Sequence, residues 1–345
     1  MFKSKTVFVI GAGCSKELGF PLGNELKNHI GSIIDIHIDV DDDFNLRSGD
    51  SQIVQTLEQR AISRNKNINR YYGAGRTIAR ALPLAISIDN FLEAHSENED
   101  IVYCGKLGIA RAILQAERAS PLHSSSGDEP MEFHSIANTW LVQLSRYLTE
   151  GVTLERIDAI FDNVTFIIFN YDRCVETFLW HALQSYYNIS AGRAEEILLK
   201  AKFHHPYGTV GRLPWQQGDA HIAEYGVDGL RNLSPIAESI RTFSEEIDST
   251  ARAEMLQALE SARVIVFLGF SFIAQNMRLL ELSTRGEARR IFATALGLSS
   301  SDCEVIKRQL GNYFMYDEYD AELRNDLTAA ELFSEYSKSI TQQID

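Results

Sequence analysis

Four short runs dominated by β-branched and aromatic residues, at 6–10, 164–169, 263–268 and 290–295, constrain this chain more than any other feature. None shows the strict alternation of a strand with one wet face, so each predicts a strand covered on both sides. Helical patterns stand beside them, as a parallel sheet requires, because parallel strands are joined by crossovers. The expected fold class is α/β: a Rossmann-like parallel sheet with helices on both faces.

Between the first and second runs, residues 51–160 read as helical, in segments such as 51–64, 108–118 and 136–148. The expected organisation is an α/β core of residues 1–41 and 161–330, an inserted helical subdomain of residues 42–160, and a C-terminal helix or tail of residues 331–345. Within the insertion, residues 121–130 are rich in Ser, Gly and acid and read as a surface excursion. Residues 33–40 set Ile34, Ile36, Ile38 and Val40 against Asp35, His37 and Asp39, the period of a strand, either the second of the sheet or part of an edge hairpin.

Composition narrows the partners. A formal net charge of -14, from 47 acidic against 33 basic residues, opposes contact with a phosphate backbone, so no direct nucleic-acid ligand is expected. Cys14, Cys104, Cys174 and Cys303 stand far apart with no CxxC pair, which argues against a zinc ribbon, any other metal site or a disulfide framework and favours a reducing cytoplasm. The first apolar stretch is barely one strand long, too short for a signal peptide. No later run reaches the ~18 residues of a spanning helix, so no membrane association is expected.

The run VFVIGAGCSKELGFP sets Gly11, Ala12 and Gly13 where a buried strand turns toward a helix, with Ser15 placed to cap that helix. Main-chain amides and the positive helix end would converge there on one spot, where a pyrophosphate would fit. The dehydrogenase fingerprint GxGxxG fails at its third glycine, which is Lys16. Cys14 at a helix start is a weak candidate nucleophile, since no paired base is identifiable.

Three further motifs carry polar groups at the ends of buried runs. FIIFNYDRC places Asn170 and Asp172 after a strand, where open α/β sheets present groups to ligands, although both residue types also cap helices. FHHPYGTVG holds His204 and His205 before Pro206, Tyr207 and Gly208 at a turn. VIVFLGFSFIAQNM ends a strand at Gly269, with Ser271 and Asn276 following as groups able to bond a ribose or adenine.

Taken in order, GAGCS with Gly19, Phe20 and Pro21 behind it, SIDNFLE, FNYD, the HHPYG turn and FLGFSF resemble the sirtuin-like NAD glycohydrolases of bacterial anti-phage defence. The resemblance implies NAD+ as substrate. The glycine loop would take the pyrophosphate, and Asn170 with Asp172 the nicotinamide ribose. It also implies an enzyme that depletes NAD+ during phage infection, a homo-oligomer, and a partner such as a hexameric DNA translocase or a short Argonaute. The deacylase branch carries an Asp-Phe-Arg run after the proline and a four-cysteine zinc ribbon. Here Leu22, Gly23 and Asn24 follow Pro21, which disfavours deacylation.

In that family the catalytic histidine directly precedes the motif glycine, where this chain has Tyr207. Three alternatives follow in order: His205 serves as general base, Tyr207 fills the site with reduced activity, or the chain binds NAD+ or ADP-ribose without cutting it. In the first, Asn170 orients the ribose hydroxyls or the attacking water and Asp172 orients its neighbours or polarises the base. Hydrolysis and cyclisation of NAD+ both stay open, as does His204 as the base. An oxidoreductase using Asp35 as the ribose acid, roughly 20 residues after the loop, is the remaining alternative.

Overall fold

The computed structural model describes residues 1–39, 45–123, 131–243, 245, 248–314 and 320–342. Six strands form one sheet: β1 (Thr6–Ile10), β2 (Val164–Ile168), β3 (Lys202–His204), β4 (Val264–Leu268), β5 (Arg290–Thr294) and β6 (Asp320–Arg324). Their spatial order is β3-β2-β1-β4-β5-β6, and every neighbouring pair is parallel. This is the doubly wound Rossmann order. Its switch point, where the chain leaves one half of the sheet for the other, lies between β1 and β4, and open sheets bind ligands at the carboxyl ends of such strands.

The three central strands are buried along their whole length, as their apolar runs require. Helices cover both faces. On one, Phe8 of β1 stacks on Phe333 of the Ala329–Thr341 helix, with ring centroids 5.7 Å apart, and Trp140 and Tyr147 of the Trp140–Thr149 helix stack on Phe333 in turn. The opposite-facing Val7 and Val9 are equally covered, because successive strand residues point to opposite faces. Burying such rings is worth about 1.5–3 kcal/mol each, which makes this face a main source of cohesion.

Two strands escape the pattern of apolar runs. β3 has three residues and is half exposed, and β6 alternates as Asp-Ala-Glu-Leu-Arg; both are edge strands, and edges tolerate polar residues. The alternation at 33–40 resolves as a hairpin outside the main sheet. Ile33 and Ile34 close the Gly23–Ile34 helix, His37–Ile38 pairs antiparallel with Leu46–Ser48, and Val40 lies outside the described residues. Residues 124–130 of the Ser-Gly-acid loop lie outside them too.

Helices fill the stretch between β1 and β2. Ser51–Arg64 starts on Asp50, whose carboxylate accepts from the Gln52 and Ile53 amides. Glu99–Ala119 extends well beyond the expected 108–118, and Gly75, Gly105 and Gly108 permit close helix packing there; a Cβ on Gly105 would meet Leu92 at 2.3 Å. The expected helix at 136–148 begins at Trp140, after a tighter Phe133–Ile136 turn. Among the described residues no helix is long and apolar enough to cross a membrane.

Candidate functional site

At the switch point the loops after β1 and β4 touch backbone to backbone. The Gly11 amide donates to the Leu268 carbonyl and the Gly13 amide to the Gly269 carbonyl, each at 2.9 Å. A Cβ on Gly11 would lie 2.6 Å from the Gly269 oxygen, one on Gly13 2.7 Å from the Gly269 Cα, and one on Gly269 2.0 Å from the Cys14 nitrogen. Gly269 also has φ +57°, a left-handed conformation that glycine adopts without steric cost. The glycines therefore serve loop-to-loop contact, which corrects the expectation that both glycine amides point at a ligand. Ala12 and Gly13 are exposed, as is Ser271 across the junction.

Ala12–Leu18 is a 3-10 turn with Gly11 at its N-cap, so Ser15 lies inside the turn and does not cap it. Its buried hydroxyl points to the next strand: Ser15 Oγ donates to Asp172 Oδ2 at 3.0 Å and accepts from Asn170 Nδ2 at 2.9 Å. Asp172 Oδ1 accepts from the Cys174 amide at 3.1 Å, so this carboxylate both binds the serine and caps the first turn of the Cys174–Tyr187 helix. Burial pushes the Asp172 carboxyl above its ordinary range, against the hydrogen bonds that pull it down. The Cys14 thiol is pushed well up by burial and by the nearby Asp172 and Glu17 carboxylates, which removes it as a nucleophile.

The imidazole of His205, at the end of β3, meets Glu176: Nε2 and Oε1 are 2.7 Å apart, and the Glu176 side chain is 1% exposed. Burial lowers the His205 pKa, but the Glu176 charge and hydrogen bond, with the Asn170 main chain and Asp172, outweigh it and leave it raised. The acid that pairs with His205 is thus Glu176, not Asp172, whose oxygens are taken by Ser15 and Cys174. Glu176 escaped notice in the sequence because an acid in the first turn of a helix already has a reason to be there. Its place within the apolar CVETFLWHAL run was the available signal. His204 is half-buried, and burial lowers its pKa.

Tyr207 belongs to a second network, in which its hydroxyl donates to Asn276 Oδ1 at 2.6 Å and Asn276 Nδ2 lies 3.4 Å from Ser271 Oγ. Its ring packs edge-on against Phe169 at 5.7 Å. Gly208, at φ +72°, sits where a Cβ would come within 2.1 Å of the Ser239 carbonyl, so the turn is held by backbone contact with the 239–241 segment. Pro21 is part-exposed beyond the left-handed Gly19, and no hydrogen bond joins it to these networks. Phe272, one residue past Ser271, has φ +53° and packs against Phe267 and Phe270.

The helical stretch before β2 reaches the same place. Asp89 of SIDNFLE accepts from the Tyr171 hydroxyl, and burial raises its pKa. Glu117 and Arg173, both fully buried, form an ion pair with Nε–Oε1 at 3.0 Å. Arg173 also donates to the Ala223 and Glu224 carbonyls, and Glu117 accepts from the Gly226 amide. Asp35 instead ends the Gly23–Ile34 helix and pairs with His37 at 3.1 Å; it follows a helix and no strand of the main sheet, unlike the ribose acid of a dehydrogenase. Among the described residues no group of three or more His, Cys, Asp or Glu side chains is arranged to hold a metal ion.

Three buried polar atoms at the ends of β2 and β3 have no hydrogen-bond partner: Asn170 Oδ1, His205 Nδ1 and Glu176 Oε2. The Asn170 main chain faces the ring without meeting hydrogen-bond geometry to Nδ1. An unpaired buried polar atom costs about 1–3 kcal/mol, so these three call for polar partners such as ordered water or a ligand.

The fold and this arrangement define a doubly wound α/β protein with a polar cluster beside its switch point. Neither a protein-family model nor a curated protein matches the sequence. Among solved structures, the chain is similar to a Sir2 homologue in complex with NAD, at 13% identity over 98% of this chain and 90% of that one, with a TM-score of 0.43. It is also similar to Sir2Tm bound to a propionylated peptide, at 16% identity over 98% and 94%, with a TM-score of 0.39. What those proteins bind is a statement about them; the assignment for this chain is argued from its own residues.

Proposed function

We propose that this chain is an NAD+ glycohydrolase that cleaves NAD+ to nicotinamide and ADP-ribose. The observation that carries the proposal is the pair of buried, unpartnered polar atoms Asn170 Oδ1 and His205 Nδ1 at adjacent strand ends, beside the exposed Ala12–Gly13 and Ser271 edges of the switch point. A diphosphate between two nucleosides spans such a junction, with its phosphates at the glycine loop and a ribose at the polar cluster. The Tyr207–Asn276–Ser271 network, with Gly208 and Gly269 shaping its loops and Pro21 closing the glycine turn, lines the remaining length.

The chemistry asks little of the protein. The bond between C1′ and the pyridinium nitrogen breaks, nicotinamide leaves as a neutral molecule, and water supplies the new C1′–O bond. Asn170, held by Ser15 and through it by Asp172, orients the ribose hydroxyls or the water, and His205 takes the water proton. General-base assistance is worth about 10²–10⁴ in rate.

Chromatography of NAD+ incubated with the protein tests this and separates hydrolysed from cyclised product. Release of nicotinamide is expected, and Asn170→Ala and His205→Ala should each abolish it. Turnover retained in His205→Ala would move the base to Tyr207 or His204. A second reading, an NAD+ or ADP-ribose sensor without turnover, is favoured by the Tyr207 hydroxyl, which occupies the motif position and is already bonded to Asn276; binding without nicotinamide release would establish it.

The sequence resemblance supports a cytoplasmic defence setting, with a homo-oligomer that depletes NAD+ during phage infection, alone or with a translocase or short Argonaute. Cellular NAD+ levels under phage challenge, with His205→Ala as the control, test that setting. The organisation we assign is a core of residues 1–41 and 161–330, a helical insertion at 42–160 that touches the core through Asp89 and Glu117, and a C-terminal helix or tail at 331–345.

A further inference from the structure

We infer that Glu176 is the positioning residue for His205, holding the imidazole in one flip with its proton on Nε2 and thereby leaving Nδ1 as the lone-pair nitrogen that faces substrate water. The inference rests on the glycohydrolase reading for its catalytic consequence, but its structural content stands apart. An imidazole with no fixed partner divides its proton between two nitrogens and its ring between two flips, and a hydrogen bond to one nitrogen decides both. Here Nε2 lies 2.7 Å from Glu176 Oε1, on a side chain that is 1% exposed and fixed in the first turn of a helix. The other nitrogen is buried and has no partner.

The groups that face the ring come from three segments, and of these the Glu176 carboxylate is the one in hydrogen-bond contact. From the Cys174–Tyr187 helix comes the Glu176 carboxylate, and from the segment after β2 come the Asn170 main chain and the Asp172 charge. Beside His205 in the chain stands His204, which itself feels Glu254, His205 and Lys202. Two carboxylates and one carbonyl surround a single imidazole; among the described residues Glu176 alone meets hydrogen-bond geometry to it, while the Asn170 carbonyl acts on the ring from close by and raises its pKa in the same direction. A carboxylate accepts and cannot donate, so the ring nitrogen it touches carries the proton.

The tests are imidazole nitrogen NMR of the full chain labelled in histidine, with the His205 signals assigned by their loss in His205→Gln, and the pH profile of nicotinamide release. In the wild type the neutral ring is expected to carry its proton on Nε2. Glu176→Gln keeps an accepting oxygen and should preserve that tautomer while lowering the pH midpoint of the ring by about one unit or more, as removal of an adjacent charge does. The acidic limb of nicotinamide release should move down by the same amount.

A neutral wild-type ring protonated on Nδ1 would overturn the inference, making His205 a strut for the Asn170 carbonyl. An unmoved midpoint in Glu176→Gln would overturn it equally. If that variant fails to fold, the proton location in the wild type decides alone. Absence of nicotinamide release from the wild type would sink the glycohydrolase reading and leave the NMR result intact, so the two failures are told apart.

Discussion

Replacing Gly269 with alanine should damage the molecule more than replacing Gly19 with alanine, although both glycines have positive φ. Gly19, at φ +85°, has nothing within 4 Å of the position a Cβ would take, so Gly19→Ala bears only the left-handed conformation. That is worth about 1–2 kcal/mol. Gly269, at φ +57°, bears the same cost and also drives its Cβ to 2.0 Å from the Cys14 nitrogen, a backbone atom that cannot rotate away. The two loops must part by about 1 Å to reach the 3.0 Å that real contacts respect. That movement stretches the Gly13-to-Gly269 hydrogen bond of 2.9 Å. Loss of that hydrogen bond, whose Gly13 donor is exposed, adds about 0.5–1.5 kcal/mol, so Gly269→Ala should be destabilised by roughly 1.5–3.5 kcal/mol. Urea unfolding of both variants, followed by circular dichroism, measures the difference. If Gly269→Ala falls within about 0.5 kcal/mol of Gly19→Ala, the loops are not locked as described.

Glu117→Gln strands the buried Arg173 guanidinium and should cost about 3–5 kcal/mol, most of it regained when Arg173 is also replaced by methionine; the same unfolding assay reads both. Ser15→Ala leaves the Asn170 amide and the Asp172 carboxylate without their shared partner, so a loss of about 1–3 kcal/mol should accompany impaired nicotinamide release, and normal activity would remove the serine from the site. His205 has a folded pKa raised above its ordinary 6.5. Its contribution is therefore fully present below pH 6.5 and lost as pH rises through the folded value, and the wild type should lose stability relative to His205→Gln across that window.

Much of the sheet was legible because β1, β2, β4 and β5 are apolar runs, a signal that burial on both faces imposes. β3 and β6 were not, since an edge strand of three residues or of alternating polarity carries no comparable demand. Asn170 and Asp172 stood out as polar residues at the end of a buried strand, and their link through Ser15 could not be read because its members are about 155 positions apart. Gly11 and Gly13 were legible as a turn, yet their reason was not. The atom that excludes a Cβ belongs to Gly269, and only the assembled sheet brings it near. Glu176 was hidden by a second plausible role, whereas Asp89 was seen only as part of a motif.

One carboxylate ties the earliest loop of the chain to one of its last helices. Glu17 accepts from the Trp140 amide at 2.7 Å and from the Ala330 amide at 3.1 Å, so it joins the start of the Trp140–Thr149 helix to that of the Ala329–Thr341 helix. Ribosomes deliver residue 17 long before residue 330, and until the later segment emerges this acid has only the Trp140 amide and Phe8 only the rings of Phe2 and Phe166. The frame around the Glu17 turn is therefore completed only after residue 330 has emerged, so a growing chain carries its glycine loop across a separation of 313 positions without the whole frame that holds it.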